Sequence, residues 1–357
     1  MLSHLKKLDW LLVVSAITLV SFGLVSLYGG GGELVNFKKQ ILWLAIGFFL
    51  MIVISLFDYR ILKNYQSPTI ILYGASTLLV LGVLIFGVSI RGAESWYRIG
   101  FITIEPVEFV KITLVVVLAK YFSMRHIEMY RLRHVVASGI YVLIPAILVL
   151  LGSEFGSLMI FASVWLGIML LAGIKVRHLG LLALVGLVSF FLAWNFVFYD
   201  YQKERLVSFL NPETDPRGTG YNTAQSTIAI GSGGLWGKGI GEGTQTQLGF
   251  LPEAQTDFIY AAISEEMGLV GVLLFFACFV FFLRRVMRIP HNSANNFARL
   301  VTSGFALLVL SQMCINIGMT LGLLPVTGIP LPFVSYGGSS IISLFAMLGV
   351  LQSIKIN

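Results

Sequence analysis

The chain has 357 residues, of which 57% are apolar and 11% charged, with a formal net charge of +7. Soluble domains carry about twice that fraction of charge, so the composition excludes an ordinary water-soluble fold. The positive balance is scattered over many short segments, which fits a membrane-topology signal with some attraction to anionic lipid better than a nucleic-acid surface.

Reading for runs of about 20 apolar residues predicts ten spans. They lie near 9–28, 39–57, 69–89, 106–123, 134–151, 155–172, 178–199, 257–283, 298–322 and 334–353. The expected fold class is all-α: a polytopic membrane helix bundle with about ten transmembrane helices. It is read as one domain over 1–357, with a large extracytoplasmic loop at 200–256 inside it. Residues 1–8 are too short and polar for a cleavable signal, so the first span is read as an anchor.

One set of loops holds Lys6, Lys7, Arg60, Lys63, Lys120, Arg125, Arg131, Arg133, Lys175, Arg177, Arg284, Arg285, Arg288 and Lys355. The short loops at 152–154 and 323–333 hold no Lys or Arg. The positive-inside bias makes the first set cytoplasmic, with both termini inside. Outward charges are fewer: Lys38, Lys39, Arg91, Arg98, Lys203, Arg205, Arg217 and Lys238. His4, His126, His134, His178 and His291 fall at cytoplasmic ends, which argues against a His-based triad or zinc site on the outer face. Cys278 and Cys314 lie inside spans and read as small hydrophobes rather than a disulfide or metal pair.

In chain order, residues 89–105 first carry Trp96, Tyr97 and Arg98 to the outer interface, where aromatics ordinarily form a belt. Glu108 and Lys111 follow, three apart and so on one helical face. They are either an ion pair tying the span to its neighbours or a cation for a phosphate or sugar oxyanion, held by its acid. Glu154, at the outer turn between the fifth and sixth spans, is either a helix-start acid or part of a site.

Loops as long as 200–256 are usually functional or disordered. This one contains Tyr221, Ala224, Ile228 and Ala229 at helical spacing, predicting a short interfacial helix over 221–230. Seven glycines between Gly231 and Gly243 then permit close backbone approach to something bulky. The run is not a nucleotide loop, because Ser232 replaces the first Gly of that pattern and Gly239 the Ser/Thr after Lys238. Arg205 and Arg217 are candidates for lipid headgroup phosphates, as surface arginines in general are.

Asp257 stands between this polar loop and a long apolar helix. It either caps the helix through the macrodipole or serves as an acid at the membrane rim, within reach of a lipid-linked substrate. Glu265 and Glu266 lie roughly 12 Å deeper at helical rise and are expected to pair with another helix. Pro325, Pro330 and Pro332 rule out an unbroken span over 324–340, which is expected to be a re-entrant or cavity-lining element.

With these residues assembled, the chain resembles the SEDS family (shape, elongation, division and sporulation), and within it the RodA branch. The resemblance covers most of the chain and is carried by Tyr-Gln-Lys-Glu-Arg at 201–205, Phe-Leu-Asn-Pro-Glu-x-Asp-Pro at 209–216 and Gly-Thr-Gln-x-Gln-Leu at 243–248. Leu-Pro-Glu-x-x-Thr-Asp-Phe-Ile at 251–259 and Pro-Val-Thr-Gly-Ile-Pro-Leu-Pro-Phe-Val-Ser-Tyr-Gly-Gly-Ser-Ser at 325–340 continue it. It departs from the family at Gln255, where a His is usual, at Glu105, where a Gln is usual, and at Glu154, where an Asp is usual. The segment around Trp96 also lacks some of the usual arginines.

The resemblance implies a peptidoglycan glycosyltransferase that polymerises lipid II during cell elongation, at the outer leaflet of the bacterial inner membrane. It implies a class B penicillin-binding protein as partner, alongside other elongation-complex membrane proteins. Asp257 matches the family's essential aspartate, and Glu108 and Lys111 its Glu-x-x-Lys pair. Glu154, Arg205 and Gln245 complete the candidate substrate-binding or supporting set. A general base contributes typically ~10²–10⁴-fold to attack by a sugar hydroxyl. Partial desolvation is expected to strengthen Asp257 in that role. The departing undecaprenyl pyrophosphate needs positive charge from Lys111, Arg205 or a divalent cation such as Mg2+ or Mn2+. No organic cofactor and no nucleotide are expected. The alternatives are a lipid II transporter, which buried charges and broken helices also suit, and a non-catalytic scaffold for a penicillin-binding protein.

Overall fold

Each predicted span forms a helix. The computed structural model describes residues 2–29, 34–90, 93–100, 102–125, 132–152, 154–196, 198, 203, 207–209, 218–289 and 295–357. The helices are α1 (Leu2–Leu5), α2 (Trp10–Gly29), α3 (Leu34–Ser55), α4 (Arg60–Asn64), α5 (Gln66–Phe86), α6 (Pro106–Ser123), α7 (Leu132–Leu151), α8 (Phe155–Leu171), α9 (Val176–Phe196), α10 (Thr219–Ser232), α11 (Thr244–Gln247), α12 (Ile259–Arg288), α13 (Asn296–Thr320) and α14 (Gly338–Ile356). Eight of them are long and apolar enough to cross a membrane. The two remaining expected spans are α6, which carries Glu108, Lys111 and Lys120, and the shorter α8. The chain is thus a multi-pass helical membrane protein, as its composition predicts.

Burial ranks the spans. The apolar stretch of α13 is 78% buried and that of α14 is 67% buried, whereas none of α9 is, so α13 is central and α9 peripheral. Small residues permit the tight contacts. Gly47 of α3 lies under Phe345 of α14, and a methyl on Gly349 would sit 2.8 Å from the Met51 carbonyl oxygen. Lipid tails are as apolar as the helices, so close packing of this kind is what holds such spans together.

Two features go beyond a plain bundle. Between α5 and α6 the chain forms an antiparallel three-stranded sheet, β1 (Val88–Ile90), β2 (Ala93–Ile99) and β3 (Ile102–Ile104). Strand alternation separates its aromatics: the Tyr97 hydroxyl donates to the Leu79 carbonyl 2.9 Å away on α5, while Trp96 and Arg98 face elsewhere. The short interfacial helix is present as α10, tied down by Ser226 Oγ donating to the Thr320 carbonyl at 2.7 Å.

The glycine-rich segment after α10 packs into α12. That helix breaks at Gly268 (φ 62°, ψ −165°), a conformation suited to glycine. The loop fills the break: Lys238 N and Gly239 N donate to the Glu265 and Glu266 carbonyls at 3.0 Å each, and Leu269 N and Val270 N donate to Gly234 and Leu235 at 2.9 and 3.1 Å. The bulky object that the glycines approach is therefore the backbone of α12.

Glu265 and Glu266 were expected to pair with another helix: Glu266 does so through Ser26 of α2, whereas Glu265 is held by Lys238 and the short helix α11 rather than by another span. Glu265 Oε1 accepts from Lys238 Nζ (2.7 Å), Gln245 N (2.9 Å) and Thr244 Oγ1 (3.3 Å), and Oε2 accepts from Thr246 N (3.2 Å) and Thr246 Oγ1 (2.9 Å). Four of the five donors belong to the first turn of α11, whose N–H groups have no intrahelical partner, and the fifth is Lys238 of the glycine-rich segment. Glu266 accepts from Gly241 N at 3.2 Å and also meets Ser26 of α2. Glu265→Ala would strip these donors of their acceptor and destabilise the protein by about 3 kcal/mol. A lower Tm in detergent, with faster limited proteolysis between residues 233 and 250, is the expected outcome.

Candidate active site

Asp257 sits two residues before α12, whose N-cap is Phe258. The turn that carries it starts at Glu253 in a left-handed conformation (φ 55°), and Thr256 N and Phe258 N both donate back to the Glu253 carbonyl at 3.1 Å. Phe258, 1% exposed, plugs the turn into the protein. The segment between α13 and α14, together with Asn316 of α13, then clamps it from the other side. Tyr336 N donates to the Gln255 carbonyl (3.0 Å), Ser335 Oγ to that of Thr256 (2.6 Å), and Asn316 Nδ2 to that of Asp257 (2.8 Å). Asn36 Nδ2 of α3 holds the Gln255 side chain at 2.8 Å, so the residue that departs from the family pattern has its own partner here. Three consecutive carbonyls are fixed, and Asp257 is presented on rigid backbone.

A cavity of about 430 Å³ opens in front of it, walled by Asp257, Glu105, Lys39, Trp43, Trp96, Arg98, Tyr336 and the segment 337–340. The size is that of a small-molecule or headgroup site. Three helices begin at its edge, α6 after Glu105, α12 after Asp257 and α14 at Gly338. Helix N-termini carry partial positive charge and unpaired N–H groups, so their convergence favours an anionic ligand. Lys39 and Arg98 add full positive charges. The proline-bearing segment lines the cavity through Gly328 and Pro330, as expected of an irregular stretch at membrane depth.

Behind this wall lies a buried charge cluster. Lys111 Nζ is 2.6 Å from Glu108 Oε1, with both side chains at most 2% exposed. Glu105 and Glu154 are close enough to act electrostatically on Lys111. The pair is thus the buried ion pair of the two sequence readings, and neither member lines the cavity. Burial pushes the Glu105 carboxyl well above its usual range, with repulsion from Glu154 and Glu108 adding and Lys111 opposing. Glu105 N donates to Ser339 Oγ at 2.9 Å, tying the start of α6 to that of α14. Glu154 is the N-cap of α8, accepts from Ser157 Oγ at 3.3 Å, and is pushed up to about 6, chiefly by burial.

Of the residues singled out from sequence, the structure places Asp257 in the cavity and Glu108, Lys111 and Glu154 behind it. Gln245 does not reach it: it lies on α11, with its N–H on Glu265 and its carbonyl accepting from Leu251 N at 3.0 Å. Arg205 lies outside the described residues. The sequence reading missed Lys39, Trp43, Glu105 and Tyr336 as wall residues and took Trp96 for a belt. One signal was available for Trp96 and Arg98, whose i, i+2 spacing puts them on one face of a strand.

Residues 3–357 match the model of the FtsW/RodA/SpoVE cell cycle proteins. The chain belongs to the FtsW/RodA/SpoVE family. It is 35% identical to the peptidoglycan glycosyltransferase MrdB of Escherichia coli K12 over 344 residues, covering 96% of this chain and 92% of that protein. It is 29% identical to the peptidoglycan glycosyltransferase RodA of Treponema pallidum, covering 97% of each. Among solved structures, it is similar to a chain of a peptidoglycan synthase complex that coordinates polymerization and crosslinking (TM-score 0.81, 30% identity, 98% and 97% covered). It is also similar to the rod shape determining protein RodA of Thermus thermophilus (TM-score 0.73, 29% identity, 98% and 96% covered).

The raised Glu154 carboxyl gives this family member a testable pH signature. Its folded form holds the proton more tightly than the unfolded chain, so its contribution to stability is full at low pH and falls as pH rises from about 4.5 to about 6. Glu154→Gln removes that fall. Above pH 6 the variant should exceed the parent by on the order of 2 kcal/mol, and the gap should close on acidification, read as Tm against pH in detergent.

Proposed function

We propose that this chain is a lipid II polymerase of cell elongation, with Asp257 as general base. The observation that carries this reading is the Asp257 carboxylate, carried on a rigidly held backbone, in an anion-favouring cavity, in a chain whose family includes named peptidoglycan glycosyltransferases. Asp257 would accept the proton of the GlcNAc 4-hydroxyl of an acceptor lipid II as that oxygen attacks the MurNAc anomeric carbon of a donor. Undecaprenyl pyrophosphate leaves from the opposite face, so a single displacement inverts the α-linked donor to a β-linked polymer. The leaving group carries negative charge. Lys39, Arg98 and the start of α14 are the wall elements suited to receive it. Lys111, assigned that task from sequence, is enclosed with Glu108 and instead holds the charge balance behind Glu105 and the wall.

Among the described residues no cluster of three or more His, Cys, Asp or Glu is arranged to hold a metal. The donor set still fits a cation of the Mg2+ or Mn2+ kind, which binds through one or two carboxylates together with substrate phosphates. Glu105 and Asp257 are the wall carboxylates that would hold it. Such an ion would supply charge neutralisation at the pyrophosphate.

The orientation follows from the Lys/Arg bias: the cavity faces outward and the enzyme works in the inner membrane. The partner that fits is a class B penicillin-binding protein, supported by the likeness to a chain of a peptidoglycan synthase complex. Purified protein with its cognate partner, given labelled lipid II, should form polymer on a gel. Asp257→Ala should lower the rate by ~10²-fold or more, with Tm and partner binding unchanged. Polymer from the variant at the parental rate would reduce Asp257 to a structural residue of the turn. In the same assay, Arg98→Gln should slow polymerisation more than Gln245→Ala, because only Arg98 is in the wall.

A further inference from the structure

At the other end of α12, on the order of 40 Å from Asp257 at helical rise, lies a second and larger cavity of about 790 Å³ that polymerisation does not use. It is lined by Arg60 and Lys63 of α4, Arg285 and Arg288 of α12, and Lys355 of α14. The Lys/Arg bias makes this the cytoplasmic end. Basic residues are ordinary there, and scattered over loop surfaces they would carry no inference. These five instead converge from three separate helices on one concavity, with a single side-chain carboxylate, Asp9, in the wall.

Asp9 explains only part of the charge. It accepts two bonds from Arg285 Nη2 at 2.6 Å and has Lys355 Nζ at 3.5 Å. Arg60 is 3.8 Å from Asp58 and donates from Nη2 to the main-chain oxygen of Asn357, another wall residue, at 2.5 Å. Lys63 and Arg288 take part in no ion pair among the described residues. Two further donors in the wall are buried and unpartnered: Arg285 Nε and Asn295 Nδ2. The Asn295 amide is oriented by its Oδ1, which caps α13 by accepting from Phe297 N at 3.1 Å, so its Nδ2 is left as a donor. Buried donors without acceptors are costly and rare in folded proteins. Here they stand beside surplus cations in a cavity large enough for a headgroup.

We propose that this cavity binds a phosphate-bearing anion, and that its occupant is the headgroup of an anionic phospholipid from the cytoplasmic leaflet. A phosphodiester supplies the acceptor oxygens that the guanidinium and amide groups lack. Ile289 and Ile354 in the same wall suit the glycerol and upper chains of a lipid better than a fully hydrated ion.

The test is binding to the full-length protein in detergent, followed by native mass spectrometry and Tm, with phosphatidylglycerol, phosphatidylcholine and inorganic phosphate as probes. Lys63 and Arg288 are exposed and take part in no ion pair among the described residues, so Lys63→Gln with Arg288→Gln is expected to leave the fold intact. Each basic residue near an anionic headgroup contributes about 1 kcal/mol, so the double variant should lose about thirtyfold in phosphatidylglycerol affinity. Lys63→Arg with Arg288→Lys should restore it, and phosphatidylcholine should bind weakly to all forms. Equal binding of the two lipids, or an unchanged double variant, overturns the proposal. Displacement of phosphatidylglycerol by millimolar inorganic phosphate, with the same gain in Tm, would overturn the lipid assignment in favour of a soluble phosphate.

Discussion

A membrane-spanning helix that stops hydrogen-bonding to itself must find other partners, because an unpaired backbone group in an apolar medium costs several kcal/mol. Helix α12 stops at Gly268, and the loop 234–239 supplies the missing donors and acceptors. Much of the half of the molecule that holds Asp257 follows from that exchange. The loop must enter α12 closely, which demands glycine at positions such as Gly237, where any side chain would overlap the Glu266 carbonyl. Once there it needs anchoring, and the buried Glu265 carboxylate gathers its side-chain and backbone donors.

The same economy of polar groups builds the site. Asn316, near the C-terminal end of the deeply enclosed helix α13, divides its amide between the carbonyls of Asp257 and Ile329, at 2.8 Å each. One side chain thereby joins the turn that carries the proposed base to the proline-bearing segment that forms the opposite wall. Gln40 of α3 adds a second tie, donating to the Ser335 carbonyl at 3.1 Å and accepting from Gly337 N at 3.3 Å. Fixing the backbone on both sides of a carboxylate is how a polar site keeps its geometry without stiffening the side chain that reacts.

Charge is divided between the two faces of the cavity wall. The buried side holds Glu108, Lys111 and Glu154, and the open side holds Lys39, Arg98, Glu105 and Asp257. Glu105 belongs to both: its backbone caps the start of α6 while its carboxyl feels the buried glutamates and Asp257. A charge in the buried cluster therefore influences the open face through Glu105 without touching a ligand.

The sequence by itself determined the class of fold, a helix at each of the ten apolar runs, the helix α10 and the irregular segment 324–340, and it singled out Asp257. Those are local properties: a bilayer sets the length of an apolar run, prolines break a span wherever they occur, and a motif is read in one stretch of chain. The sequence also showed Glu108 and Lys111 as a pair, since i, i+3 spacing is local too. Tertiary structure alone decided that the pair lies behind the wall, that Gln245 serves the loop, and that Glu265 pairs with Lys238 and α11 of that loop instead of another span. It alone brought Lys39 from α3, Arg98 from a strand and Glu105 from the start of α6 around one carboxylate. These residues are far apart in sequence, and their meeting depends on how the spans pack, which no single span's pattern encodes.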